Sequence, residues 1–167
     1  MVSRVIPVEP FDLVIFGGTG DLARRKILPG LFRRFCAGQM PDTSRIIGAA
    51  RTEMDKTGYR EMVREAIAEF NMGFAHEKHQ LDAFLGQLDY VAIDAKGEDG
   101  WAALQQLMAG SDRIEAYYFS VSPSLFGDLA ERLQQWGMAD AQSRIVVEKP
   151  FGRDLQTAKT LNATLAK

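Results

Sequence analysis

A chain of 167 residues is long enough to bury one sizeable core and too short for two comfortable ones. With 46% hydrophobic residues, 25% charged residues and a formal charge of −2, it has the balance of an ordinary globular protein, and this excludes a general basic field for nucleic acid or an anionic membrane. No apolar run approaches the ~20 residues that span a bilayer, Met1-Val2-Ser3-Arg4 does not open a signal peptide, and a single cysteine, Cys36, excludes an internal disulfide. The expectation is a cytoplasmic protein with neither a nucleic-acid nor a membrane partner.

The first strand is predicted at Phe11-Asp12-Leu13-Val14-Ile15-Phe16, and a glycine-rich turn, Gly17-Gly18-Thr19-Gly20, comes directly after it. A helix should begin near Gly20. Pro29 removes an amide donor and clashes one turn back, which predicts a kink or two short helices there. The second strand is Arg45 to Ala50. Over 55–70, Tyr59, Met62, Val63, Ala66, Ile67 and Phe70 recur at spacings of three and four, an amphipathic helical stripe. Strands are predicted next at Leu88 to Ile93, Ile114 to Val121 and Arg144 to Glu148, with helices over Gly100 to Met108 and Ser124 to Trp136. Ser122-Pro123-Ser124 offers a helix start. The strands are continuous apolar runs rather than alternations, which suits burial on both faces of a parallel sheet. Alternation of strand and helix through one unbroken domain, 1–167, predicts a Rossmann-like, doubly wound α/β fold.

Glycines at the turn let the chain reverse sharply while its amides approach a phosphate, and the next helix presents unpaired N–H groups and its positive dipole end. Gly18-x-Gly20-x-x-Ala23 satisfies a dinucleotide fingerprint, although a tight structural turn would look the same. A P-loop is excluded, because Asp21-Leu22 rather than Lys-Ser/Thr stands after Gly20. So is a short-chain dehydrogenase, because no tyrosine has lysine four residues on. At the end of the second strand, where an acid would bind the ribose hydroxyls, stands Arg51 with Thr52 behind it. That favours NADP, with NAD possible, over a solvated arginine paired to Glu53.

Near the end, a buried strand runs into Glu148-Lys149-Pro150-Phe151-Gly152, which sets Lys149 at a strand's carboxyl end, where open α/β sheets bind ligands. Together the two motifs resemble those of the glucose-6-phosphate dehydrogenase family. Its Gly-x-x-Gly-Asp-Leu-Ala stands here as Gly17 to Ala23, with Arg24-Arg25-Lys26 after it, and its Glu-Lys-Pro-Phe-Gly as Glu148 to Gly152. Gly48 to Arg51, Tyr90 to Asp94 and Tyr118 to Pro123 fit as well, so the resemblance runs from Phe11 onward.

The resemblance implies that Gly17, Gly18, Thr19, Gly20, Asp21, Leu22, Ala23 and Arg24 wrap the cofactor pyrophosphate, with alanine accepted at position 18. Arg51 would hold the 2′-phosphate, Asp94 and Ala95 would line the adenosine side, and Pro123 and Phe126 would lie near the nicotinamide. Lys149 would contact both cofactor and sugar phosphate, and Lys26 would face the active site. The implied reaction is oxidation of glucose 6-phosphate to 6-phosphogluconolactone by hydride transfer to NADP, the first step of the pentose phosphate pathway.

The family's phosphate-binding segment and its catalytic histidine have no counterpart in these 167 residues. The expectation is therefore cofactor binding without turnover, with the catalytic C-terminal domain absent and the parent's homo-oligomer built through that missing domain. His76 and His79 share a helix face, but charged neighbours and the lack of a third ligand argue for a solvated face and no metal site. Two alternatives stand at this point: another sugar oxidoreductase of the Gfo/Idh type, which also carries Glu-Lys-Pro after a strand, and a non-enzymatic NADP-binding module.

Overall fold

The structure is a computed structural model that describes residues 11–38, 44–70, 78–95, 97–109, 114–138 and 144–147. Five strands form one sheet in the order β3-β2-β1-β4-β5. They are β1 (Phe11–Phe16), β2 (Arg45–Ala50), β3 (Leu88–Ala92), β4 (Ile114–Phe119) and β5 (Arg144–Val147). Every neighbouring pair is parallel, and Phe16 at the end of β1 pairs with Ala49 on one side and Phe119 on the other. Chain order reverses at β1, so the crevice beyond its carboxyl end is the topological switch point of the sheet.

Alternate residues of each strand enter two cores, one on each face. Leu13, Ile15 and Ile46 pack with Phe32 of α1 (Leu28–Cys36), Val63 of α2 (Lys56–Phe70) and Phe84 of α3 (Lys78–Leu85). Val14, Phe16 and Ile47 pack with Trp101 of α4 (Trp101–Met108) and Leu129 and Leu133 of α5 (Phe126–Gln135). Phe16 anchors the second core, with ring centroids 5.8 Å from Trp101 and 5.7 Å from Phe119. Burying each such side chain is worth about 1.5–3 kcal/mol over leaving it in water. The α2 stripe is as its spacing predicts, with Tyr59, Val63, Ala66 and Ile67 buried and Met62 and Phe70 half-buried.

The disturbance expected at Pro29 takes the form of a π-helical turn within one helical run rather than a break between two helices. Helical backbone runs from Asp21 to Cys36, and its turn Ala23–Ile27 is π-helical, with the amide of Leu28 donating to Ala23 O five residues back. Pro29 has no N–H for the carbonyl four residues earlier, and a widened turn accommodates both the missing donor and the ring. The start at Ser122-Pro123-Ser124 takes the form of a 3-10 turn, Pro123–Leu125, leading into α5, with Ser124 N donating to Ser122 Oγ at 3.4 Å.

At the amino ends of the strands, Asp12 is fully buried. Arg45 Nε donates to Asp12 Oδ1 and Arg45 Nη2 to Asp12 Oδ2, both at 3.0 Å, and the same guanidinium donates to Leu107 O at 2.6 Å. This fork joins β1, β2 and α4 at the end of the sheet away from the glycine turn.

Candidate functional site

The turn after β1 is held from both sides. The amides of Gly17 and Gly18 donate to Ala49 O at 2.8 and 3.2 Å, which ties the turn to β2. Gly17 has φ +85°, and a Cβ there would collide with the carbonyl oxygen of Ser120 and lie 2.9 Å from its carbonyl carbon. Glycine is thus required by conformation and by space. The first backbone bond of the helix runs from Arg24 N to Gly20 O at 3.1 Å, so the amides of Asp21, Leu22 and Ala23 precede the ladder. Arg24 Nε and Ser120 Oγ, on residues adjoining the turn, are buried with no hydrogen-bond partner. Unpaired amides, a helix start and an orphaned guanidinium nitrogen make an environment suited to an anion.

A cleft of about 250 Å³ opens at the carboxyl ends of β1, β2 and β3. Phe16, Ile93, Val121, Leu125 and Leu129 give it apolar walls, and Gly17, Thr19, Arg51 and Thr52 its polar rim. A recess of about 150 Å³ shares Arg51 and Ile93 with it and is lined also by Glu53, Asp94 and Asp99. Arg51 is exposed and is the one cationic residue lining either space among the described residues. It forms no ion pair with Glu53, the partner that would have made it a merely solvated residue. A larger cavity, about 390 Å³, lies at the opposite end of the sheet beside Glu115, Trp136 and Met138. It lacks both the glycine turn and a strand's carboxyl end, so the smaller cleft is the better site.

Of the residues singled out in the sequence, Gly17, Thr19, Arg51 and Ala95 line this cleft and Asp94 its recess, while Gly18 and Gly20 to Arg24 line neither, and Leu22 and Ala23 pack in the core on the α1–α3 face. Phe126 is 5% exposed and packs on Phe119 with centroids 5.6 Å apart, so it supports the wall from within. Lys26 is exposed on the π-helical turn and lines neither space. Pro123 opens the 3-10 turn, whose Leu125 reaches the cleft. Lys149 with the rest of Glu148 to Gly152, and His76, lie outside the described residues, while His79 is exposed on α3. No group of three or more His, Cys, Asp or Glu able to hold a metal occurs among the described residues, and no described helix is long and apolar enough to cross a membrane. At position 18 there is little room for alanine, since a Cβ would meet Gly48 Cα and the Tyr59 hydroxyl at 2.9 Å each.

Two tyrosines that no local motif marks, Tyr59 and Tyr90, bond the backbone beside the cleft. Tyr59 is fully buried on α2, and its hydroxyl donates to Gly18 O at 3.1 Å. Tyr90, on β3, donates to Thr52 O at 2.6 Å, with Ala50 O as a second acceptor at 3.3 Å. The two ring centroids are 4.9 Å apart. The signal in the sequence was Gly48, a glycine inside a strand, which marks close approach of another group.

The family model described as "Glucose-6-phosphate dehydrogenase, NAD binding domain" matches residues 14–167. The chain belongs to that family. Glucose-6-phosphate 1-dehydrogenase of Rhizobium meliloti (strain 1021) is 44% identical over 168 residues, covering 100% of this chain and 34% of the relative. The crystal structure of glucose-6-phosphate 1-dehydrogenase from Mycobacterium avium superposes with a TM-score of 0.80 at 33% identity, covering 94% of this chain and 33% of that one. A glucose-6-phosphate dehydrogenase solved in complex with glucose 6-phosphate superposes at 0.77 with 29% identity, covering 99% of this chain and 35% of the other. This NAD-binding domain chain thus spans about a third of the length of the relatives it matches. The Rossmann-like fold expected from the sequence is the family's fold, and sheets of this kind bind nucleotides in the switch-point crevice.

Proposed function

We propose that the cleft beside Gly17 binds NADP, with NAD accepted more weakly, and that the chain holds this cofactor for oxidation of glucose 6-phosphate to 6-phosphogluconolactone. The observation that carries the cofactor preference is Arg51. It is exposed, unpaired with Glu53, and set at the end of β2 where the cleft and its recess meet. A guanidinium there receives a 2′-phosphate, whereas an acid would receive the ribose hydroxyls. The amides of Asp21 to Ala23 and the Arg24 side chain supply the donors for the diphosphate, and the apolar wall shields the cofactor from water.

When bound, the cofactor would supply the hydride acceptor for sugar C1. The described residues of this chain hold and orient, which is positioning rather than proton chemistry. Lys149, read from the Glu-Lys-Pro motif, bridges cofactor and sugar phosphate, and Lys26 is a second contact for the substrate. The base that takes the C1 hydroxyl proton lies outside these 167 residues, as does the interface through which the full-length enzyme forms a homo-oligomer. We place the protein in the cytoplasm as a single domain over 1–167.

Calorimetric titration with NADP and NAD tests this reading. Binding of NADP should be the tighter, and Arg51→Gln should weaken it about tenfold or more, the weight of one charge-assisted hydrogen bond. Equal affinity for the two cofactors, unchanged in Arg51→Gln, overturns the preference. Formation of NADPH from glucose 6-phosphate by the chain alone would overturn the placing of the base.

A further inference from the structure

The backbone that carries Arg51 is tethered at one point. Pairing of β2 with β3 ends at Ala50 and Ala92, and the amide of Ile93 closes it by donating to Ala50 O at 2.7 Å. Beyond that, the hydroxyl of Tyr90 is the sole described hydrogen-bond partner of the Arg51-Thr52 backbone, at 2.6 Å on Thr52 O. Its two acceptors, Ala50 O and Thr52 O, bracket Arg51 in the chain. Tyr59 packs against Tyr90 with the ring planes tilted by 30°, and holds the glycine turn through Gly18 O. Because both phenols donate outward to backbone, each ring braces one phosphate-facing segment and the ring contact fixes their spacing.

The brace has electrostatic weight. Glu53, Asp94 and Asp99 line the recess beside Arg51, so an anion is welcome there only where the guanidinium reaches it first. Arginine has a long, flexible stem, and the conformational freedom it loses on binding grows when its own backbone is also free.

We propose that Tyr90 is the positioning residue that sets recognition of a ribose 2′-phosphate by Arg51, while Tyr59 positions the glycine turn for the diphosphate. This rests on the reading of the cleft as an NADP site. The tyrosines divide the work: loss of the Tyr90 hydroxyl loosens one phosphate contact, and loss of the Tyr59 hydroxyl loosens the contact common to all adenine dinucleotides.

The test is calorimetric titration of the chain with NADP and with NAD, which differ only in the ribose 2′-phosphate, in the wild type, Tyr90→Phe and Tyr59→Phe, with melting curves to establish folding. Wild type should favour NADP. In Tyr90→Phe the affinity for NADP should fall about fivefold, the equilibrium weight of one ordinary hydrogen bond, with NAD changed less than about twofold. Tyr59→Phe should weaken both dinucleotides by the same factor. Wild type binding the two equally overturns the cofactor reading and this proposal with it. Wild type that discriminates, with Tyr90→Phe discriminating just as well, overturns the Tyr90 role alone. Should Tyr90→Phe not fold, Tyr59→Phe carries the test: equal loss for both dinucleotides supports the division, and loss confined to NADP overturns it.

Discussion

Tyr59 fills the space that a side chain at Gly48 would occupy: an ideal Cβ at Gly48 lies 2.5 Å from the Tyr59 hydroxyl oxygen, over the ring that reaches across β2 to Gly18. Gly48→Ala must displace that ring. The expected cost is about 1–3 kcal/mol of stability from overpacking, together with weaker cofactor binding as the bond to Gly18 O breaks. Urea denaturation reads the first and NADP titration the second. Tyr59→Leu in the Gly48→Ala background should recover stability without recovering binding, and an unchanged melting midpoint in Gly48→Ala alone would contradict the packing.

Gly17→Ala meets both a left-handed φ of +85° and the carbonyl of Ser120. The conformational strain alone is about 1–3 kcal/mol, and relief requires the turn to leave β4. Cofactor affinity should drop at least tenfold, more than the stability loss would imply, since the displaced turn leads into the amides proposed to bind the diphosphate. Parallel measurement of NADP affinity and urea midpoint distinguishes this from general loosening. Retention of wild-type affinity would sink it.

Asp12 and Arg45 offer the opposite pattern. Asp12 is fully buried and the Arg45 side chain 27% exposed, and the hydrogen bond that the guanidinium donates to Asp12 is the first cause of its raised pKa. Asp12→Ala removes the carboxylate that takes both guanidinium bonds, leaving Asp89 and Leu107 O to the arginine, and should cost about 1–3 kcal/mol. The cleft lies at the far end of β1, about 13 Å away along four residues. The folded fraction of Asp12→Ala should therefore bind NADP as wild type does. A changed dissociation constant at low temperature, where the variant is folded, would refute the separation of the two ends.

Alkaline pH should unfold the protein through the same two tyrosines. Burial is the main cause in both, pushing Tyr90 from the ordinary 10.0 up to about 12, with Glu53 adding to it, and Tyr59 higher still, with Tyr90 adding to it. Phenols raised in this way add stability that is fully present below pH 10 and is lost as pH climbs toward 12, because the unfolded chain ionises first. The urea midpoint should fall across that window, and less steeply in Tyr90→Phe. Equal slopes in the two proteins would remove Tyr90 from the account.

Much of the fold and of the cleft is legible in the residues alone, and the reasons are physical. Strands β1 and β2 and the stripe of α2 have correct or nearly correct bounds because burial on both strand faces and a spacing of three and four leave few other readings. The turn at Gly17 and the position of Arg51 are legible because the carboxyl end of a buried strand constrains the residues next to it. Pro29 signals a disturbance, but its outcome depends on how one turn shares its carbonyls, and single residues do not encode that. The short α3 is harder, with Leu81, Phe84 and Leu85 its only buried residues. Tyr59 and Tyr90 look like core because they are core. Their hydroxyl bonds join residues 41 and 38 positions apart, and no local pattern reports such partners.

The two cores also imply an order of assembly. Among the described residues, the buried members of the core on the α1–α3 face run from Leu13 to Tyr90, whereas the other core needs residues as late as Met138. A chain leaving the ribosome amino end first can thus close one face, with β1, β2 and β3 paired and both tyrosine rings seated, before α4 and β4 exist. Until Ser120 arrives beside Gly17, that half-domain carries the unsatisfied edge of β1, which pairs in the finished sheet with residues about a hundred positions later. Synthesis that pauses between Tyr90 and Ile114 would hold the chain where an aggregation-prone strand edge is exposed and the nucleotide cleft has only one wall.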